Sequence, residues 1–258
     1  MGAAAERSAD GAALADARWL KAGVASVWLT TGILVAHPLY RAIGASYLSR
    51  LHVPEWSMPL TCLFEIALAG LVLLRPAGVF LTLLQLSLVT TFTVILALHE
   101  PRLLVSPFGM LTKNVPILAA VAGAYLLERE GWSGRVRWLL RVGMASIWIT
   151  EGLFPKILFQ QPEELWITAE TGLSLGNPAL LLRAIGACQL ASGVLVLLLR
   201  GRPLRVLLGL QALALVVLPL VVSLFVPWLW FHPFGPFTKN VAALLGTLVL
   251  YRRCSSWS

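Results

Sequence analysis

The chain has 258 residues, of which 58% are hydrophobic and only 12% are charged. A soluble domain carries roughly 25% charged residues, so this composition excludes a soluble globular enzyme and predicts an all-α membrane protein. The formal net charge is +8, but the basic residues lie in short clusters between apolar runs. We therefore expect them to set the topology and to contact anionic membrane lipid, and we expect no nucleic-acid partner.

Apolar segments follow one another along most of the chain. An Ala-rich, polar stretch at 1–17 is predicted to be an N-terminal cytoplasmic tail. After it come eight runs that approach the about 20 residues needed to cross a bilayer. The predicted spans are 19–36, 59–75, 79–98, 108–127, 138–155, 179–199, 204–224 and 234–251. We expect a polytopic integral membrane helical bundle of about eight transmembrane helices.

The distribution of Lys and Arg predicts how the bundle is oriented. Thirteen of these residues lie on the side of the termini and seven on the opposite side. Cytoplasmic loops of membrane proteins carry the excess of Lys and Arg. The count therefore predicts that both termini are cytoplasmic.

The second half of the chain repeats the first. ASVWLTTG at 25–32 returns as ASIWITEG at 145–152, and PFGMLTKNV at 107–115 returns as PFGPFTKNV at 233–241. The predicted units are a four-helix repeat at 18–127, a basic cytoplasmic linker at 128–137, a second four-helix repeat at 138–251 and a cytoplasmic tail at 252–258. Because each repeat has an even number of spans, the two are predicted to be parallel.

The repeated PFGxxTKN segment carries the first candidate site residues. They are Lys113, Asn114, Lys239 and Asn240. By helix rise the two lysines lie about 18–21 Å from the cytoplasmic surface, within the hydrocarbon layer. An ammonium group at that depth costs about 2.5–3.5 kcal/mol, so each lysine is expected to have an acidic partner. The segment is either a structural corner or the lining of a ligand cavity.

Two carboxylates inside predicted spans are the candidate partners. Glu151 lies at about the depth of Lys239 and is predicted to pair with it, which leaves Glu65 to pair with Lys113. Intramembrane carboxylates indicate a functional site by default, so Glu151 and Glu65 serve either in proton transfer at a quinone site or in structural ion pairs. No HxxxH pattern accompanies the histidines, and we expect neither a metal nor a haem site.

Three segments of the second repeat resemble the DoxX-like family of small four-span membrane proteins. They are WITEGLFPK at 148–156, Glu163-Glu164-Leu165, and HPFGPFTKN at 232–240. The first repeat keeps the closing motif but has Ser106 in place of its histidine and lacks the Pro-Lys pair. The resemblance implies a bacterial inner-membrane protein, with some relatives associated with quinone-linked sulfur oxidation and oxidative-stress complexes. It also implies that Glu151, Lys156, Lys239 and Asn240 line a pocket.

These observations lead to three hypotheses of function. The first is a membrane subunit of a quinone-linked redox system, in which Glu151 exchanges protons in an outer-leaflet cavity. Lys156, Lys239, Asn240, Glu65, Lys113 and Asn114 would bind the lipid-soluble ligand there. The second is a non-catalytic assembly or anchoring subunit of a larger complex, and the third is a transporter of lipid or small solutes. We also expect a membrane-protein partner or a homo-oligomer.

Overall fold

A computed structural model describes residues 2–174 and 176–254, with side chains from residue 11 onward. Over these residues the regular structure is entirely helical, so the predicted all-α fold is confirmed. The first repeat contains α1 (Gly2–Leu34), α2 (Pro38–Arg50), α3 (Ser57–Leu74), α4 (Val79–His99) and α5 (Asn114–Glu130). The second contains α6 (Gly134–Gly152), α7 (Pro162–Glu170), α8 (Pro178–Leu198), α9 (Gly201–Ser223) and α10 (Asn240–Arg253).

The number of helices long enough to cross a membrane is close to the predicted number of spans. Within the described ranges, five helices are long and apolar enough on their own, and two bent helix pairs raise the number to as many as seven. The eighth predicted span, 234–251, is helical only in α10, which has 14 residues. At about 1.5 Å per residue this helix is roughly 21 Å long. The PFGPFT segment before it forms turns, because Gly235 has a φ of +53°.

The segment predicted as an N-terminal tail belongs to the first long helix where its structure is described. Ala13 and Ala17 are buried, and Asp16 pairs with Arg252 and Arg253 near the other end of the chain. Alanine is the best helix former, which explains why α1 extends through this stretch. Met1 and residues 255–258 of the two predicted tails lie outside the described residues.

Each repeat turns sharply after its first long helix. The axis bends by 93° between α1 and α2 and by 89° between α6 and α7. Both short helices begin with a proline, Pro38 or Pro162, at a position where a missing backbone N–H costs no hydrogen bond. The second repeat contains an extra turn before this bend, the π-helix Leu153–Leu158. Lys156 lies in this turn.

Glycines allow the first and third helices of each repeat to approach closely. A Cβ atom on Gly32 would lie 2.6 Å from the Cys62 carbonyl oxygen, and one on Gly152 would lie 2.5 Å from the Gly186 carbonyl oxygen. The same close contact therefore joins α1 to α3 and α6 to α8. Small residues at such crossings allow van der Waals packing between helices when lipid, rather than water, surrounds them.

The two repeats share one core. Helix α1 packs against α10 of the other repeat, and α6 packs in the same way against α5. These four helices surround fully buried side chains, which include Leu20, Leu140, Met144 and Leu250. At the end near the termini, Lys21 forms an ion pair with Glu128 at 3.1 Å.

The close helix crossing in the second repeat predicts the effect of adding one methyl group. Gly152→Ala is expected to destabilise the protein by about 1–3 kcal/mol, because the methyl group would collide with backbone of α8. The measurement is the midpoint of thermal unfolding of the purified chain in detergent. Gly70→Ala in α3 is the control, since a Cβ atom there would have no neighbour within 4 Å. Equal midpoints for the two variants would contradict this packing.

Candidate functional site

Two cavities occupy corresponding places in the two repeats, near the ends of α1 and α6 that lead into the bends. Cavity I has a volume of about 410 Å³ and cavity II about 470 Å³. Polar groups on the wall of cavity I come from Thr31, Tyr40, Tyr47, Ser57, Thr61, Cys62, Glu65, Asn114 and Lys239. Those on the wall of cavity II come from Lys113, Trp148, Glu151, Lys156, Glu164, Thr168, Thr171, Gln189 and Asn240. The remaining lining of both is mostly apolar.

The predicted site residues are thus divided between the cavities, and the two lysines change places. Lys113 of the first repeat lines cavity II, and Lys239 of the second repeat lines cavity I. The Lys113 amine donates to the Pro236 carbonyl at 2.8 Å, and the Lys239 amine donates to the Met110 carbonyl at 2.8 Å. Met110 and Pro236 occupy the same place in the repeated motif. The two bonds are therefore equivalent and reciprocal.

This exchange corrects the predicted pairing of charges. Lys239 interacts electrostatically with Glu65, and Lys113 interacts with Glu151. Each acid therefore faces the lysine of the other repeat, and the prediction that Glu151 pairs with Lys239 is wrong. The sequence predicted that Glu151 and the two lysines lie at about one depth in the membrane. Depth alone does not specify which helices are neighbours at that level.

A left-handed backbone turn places the PFG motif of the first repeat against Glu151. Phe108 and Gly109 have φ angles of +65° and +67°, a region that glycine adopts at no steric cost and that a residue such as phenylalanine rarely adopts. The Glu151 carboxylate lies against Gly109 where a Cβ atom would stand, and the Lys113 side chain would lie 2.9 Å from that atom. The glycine therefore leaves the space in which the acid and the lysine meet.

Lys156 and two carboxylates form a charged cluster in the wall of cavity II. The amine of Lys156 lies 2.7 Å from Glu164 Oε1 and 3.8 Å from Glu151 Oε2. With Lys113 the cluster has two positive and two negative groups, so its formal charges cancel. Glu164 was not predicted as a site residue, although the resemblance included its acidic-Leu segment. The π-turn that carries Lys156 has no equivalent in the first repeat, and such turns are frequent at functional sites.

Several polar atoms in the lining of cavity II have no hydrogen-bond partner among the described residues. They are Trp148 Nε1, Glu151 Oε1, Glu164 Oε2, Gln189 Oε1 and Asn240 Oδ1. The first repeat differs at the matching tryptophan, because Trp28 Nε1 donates to Gln85 at 3.4 Å. In the second repeat the matching glutamine, Gln211, donates to Ser192 instead. The indole N–H of Trp148, a residue that lines the cavity, is thereby left without a partner among the described residues.

Cavity I has fewer charged groups. Glu65 is 7% exposed, and its Oε2 atom is buried without a partner in the part of the chain that the structure describes. Tyr40 OH and Cys62 Sγ are 3.7 Å apart. The Asn114 amide donates to Thr93 at 2.8 Å, so this asparagine links α5 to α4 as well as lining the cavity.

Two histidines form local turns before prolines. His37 Nδ1 accepts from the Leu39 N–H and His232 Nδ1 accepts from the Phe234 N–H, both at 3.2 Å. Burial, with a smaller contribution from Lys239, lowers the pKa of His232 to about 4, which keeps its imidazole neutral and able to accept. Over the described residues, no group of three or more His, Cys, Asp and Glu side chains is arranged to hold a metal ion.

The contact between Glu151 and Gly109 predicts a specific cost for Gly109→Ala. This substitution would add both left-handed strain, of about 1–3 kcal/mol, and a collision with the carboxylate. Gly172→Ala is the matched control, because Gly172 has a φ of +69° and open space around it. We expect the unfolding midpoint in detergent to fall further for Gly109→Ala than for Gly172→Ala. An equal fall would mean that the carboxylate does not occupy this space.

Comparison with known proteins agrees with the internal repeat. A family model described as the DoxX-like family matches the chain twice, at residues 25–122 and 145–248. The two matches together span well over half of the chain and correspond to its two repeats. No curated protein and no solved structure matches it.

Proposed function

Because the chain belongs to the DoxX-like family, we propose that this multi-pass membrane protein is a subunit of a quinone-linked redox system and that cavity II binds the quinone. The observation that carries the proposal is the set of unpartnered polar atoms in an otherwise apolar cavity, beside a charge-balanced cluster. Burying such atoms without a hydrogen bond is costly. A quinone oxygen would accept from the Trp148 indole N–H, and the two hydroxyl groups of the reduced quinol would donate to two of the four unpartnered oxygens.

The size and chemistry of cavity II suit a quinone. Its volume of about 470 Å³ is within the roughly 300–1,000 Å³ typical of small-molecule sites. The quinone ring presents apolar faces and two oxygens that only accept hydrogen bonds. The Trp148 indole, the Lys113 amine and the Lys156 amine are donors in the cavity wall. Three donors, from α6, from the π-turn that follows it and from the turn before α5, are sufficient to orient two carbonyl oxygens.

The carboxylates supply the proton chemistry in this proposal. A bound quinone accepts two electrons and two protons at its oxygens. Glu151 lines the cavity and its Oε1 atom, which packs against Gly109, has no hydrogen-bond partner within the described structure, so this carboxyl group can hold a proton. Lys156, which is 3.8 Å from Glu151 and 2.7 Å from Glu164, stabilises the carboxylate after the proton leaves. The electrons come from a redox protein that docks in the membrane.

The proposed location is the bacterial inner membrane, with both termini in the cytoplasm. The excess of Lys and Arg on the side of the termini supports this orientation. Cavity II would then open in the outer leaflet, where a lipid-soluble ligand enters from the bilayer. Lipid-facing side chains such as Leu210, Leu213 and Leu218 on α9 are exposed and leave the neighbouring helix surface apolar.

The direct test of quinone binding is chemical analysis of the purified chain. We expect about one quinone per chain after mild detergent extraction from native membranes, measured by mass spectrometry. Lys156→Met should lower this content at least about tenfold, because it removes a charge-assisted donor. Arg50→Met is the control, since Arg50 pairs with Glu100 at an exposed position. A quinone-free chain that copurifies with a stable complex would favour an anchoring role instead.

The proton role of Glu151 is tested separately by Glu151→Gln. This variant keeps the shape of the side chain but cannot release a proton, so quinone-linked electron transfer in membrane vesicles should fall at least about 100-fold. The quinone content should stay near that of the wild type. Glu130→Gln, at the exposed end of α5, is the control. An unchanged rate with Glu151→Gln would eliminate the proton role.

A further inference from the structure

Cavity I is not a second copy of cavity II. Thr31 stands where the second repeat has Glu151, and the turn that carries Lys156 is absent. Conversely, Glu65 of cavity I stands where cavity II has Gln189. The charged groups in its lining are therefore one carboxylate, from Glu65, and one amine, from Lys239. Because its charged groups differ from those of cavity II, cavity I is suited to a different ligand.

The carboxylate and the amine face the same cavity without touching. Glu65 is only 7% exposed and comes within 4.0 Å of no cationic nitrogen in the residues that the structure describes, and its Oε2 atom accepts no hydrogen bond. The Lys239 amine is also buried and donates to the Met110 carbonyl at 2.8 Å. An ammonium group has three N–H bonds, so two remain. Glu65 thus has a free acceptor and Lys239 has free donors, and a gap of more than 4.0 Å separates the two groups.

Only one kind of polar group, placed in this gap, satisfies both the Glu65 carboxylate and the Lys239 ammonium group. A carboxylate only accepts hydrogen bonds and an ammonium group only donates them. A hydroxyl group placed between them donates to the first and accepts from the second, which satisfies both. A carbonyl or ether oxygen accepts from the ammonium but leaves the carboxylate unpaired, and a buried unpaired group carries the full cost of its desolvation.

The apolar residues in the lining of cavity I indicate that the rest of the ligand is apolar. Trp28, Phe92, Ile117 and Phe234 contribute apolar surface to cavity I. Its volume of about 410 Å³ is far larger than the roughly 30 Å³ that one water takes up. The Thr31, Ser57 and Thr61 hydroxyls in the lining already donate to nearby backbone carbonyls, so an apolar molecule with a single hydroxyl group fits these walls better than a group of waters.

We propose that cavity I is a second ligand site, which binds a lipid-soluble phenol or alcohol through its hydroxyl group. The hydroxyl donates to Glu65 and accepts from Lys239, and the apolar body lies against the aromatic wall. This site is independent of the proposed quinone site, because the two cavities share no lining residue. Each cavity nevertheless depends on both repeats, since Lys239 of the second repeat lines cavity I and Lys113 of the first repeat lines cavity II.

The test compares a phenol with a second probe in which a methyl group replaces the hydroxyl proton. The full chain in detergent is titrated with 4-decylphenol and with its methyl ether, and bound probe is counted by native mass spectrometry. The wild type should bind the phenol at least tenfold more tightly than the ether, which corresponds to about 1.4 kcal/mol. Titration with 1-dodecanol separates the possible sources of the hydroxyl, since tighter binding of the phenol indicates an aromatic ligand and tighter binding of the alcohol an aliphatic one.

Glu65→Gln identifies the cavity that produces this preference. It installs the residue that the second repeat has at the matching place, Gln189, and the tenfold preference for the phenol should disappear. Glu130→Gln should leave the preference intact, because Glu130 lies at the exposed end of α5 and lines neither cavity. Equal binding of phenol and ether by the wild type would overturn the proposal whatever the variants do. A preference that survives Glu65→Gln would overturn it as well.

Discussion

The reciprocal bonds between the two lysines and the opposite PFG loops hold this bundle together where it is most polar. Lys113 donates to the Pro236 carbonyl and Lys239 donates to the Met110 carbonyl. A buried ammonium group is tolerated only when it is hydrogen-bonded and faces an opposite charge. In this chain both the carbonyl and the carboxylate come from the other repeat. Neither repeat alone satisfies its own lysine, so the two must assemble for either site to form.

This dependence explains how the repeats could diverge without losing the bundle. The glycine crossings at Gly32 and Gly152 and the PFGxxTKN loops remain alike in both copies. The positions of the acidic residues differ between the copies, because one copy carries Glu65 on α3 and the other carries Glu151 on α6. As long as each lysine still faces one acid across the repeat boundary, the side chains around that acid are free to change. The result is one cavity with a charge-balanced cluster and one with a single separated pair.

Much of this architecture could be predicted from the sequence. Composition predicted the membrane fold, and the repeated motifs predicted two copies that a family model also finds. The exchange of lysines could not be predicted, because helix rise gives the depth of Lys113 and Lys239 but not their lateral neighbours. Glu164 was missed for a related reason. Its partner Lys156 lies just beyond the predicted span 138–155, in a π-turn, and the length of that span does not specify how such a turn orients the lysine.

Crosslinking between paired cysteines tests the exchange of lysines most directly. In a chain with Cys62, Cys188 and Cys254 replaced by serine, Lys113→Cys is combined with Glu151→Cys, and Lys239→Cys with Glu65→Cys. A short bifunctional thiol reagent is added, and the linked peptides are identified by mass spectrometry. We expect both of these combinations to crosslink, whereas Lys239→Cys with Glu151→Cys and Lys113→Cys with Glu65→Cys should not. Efficient crosslinking of the last two combinations, and not of the first two, would contradict the exchange of lysines.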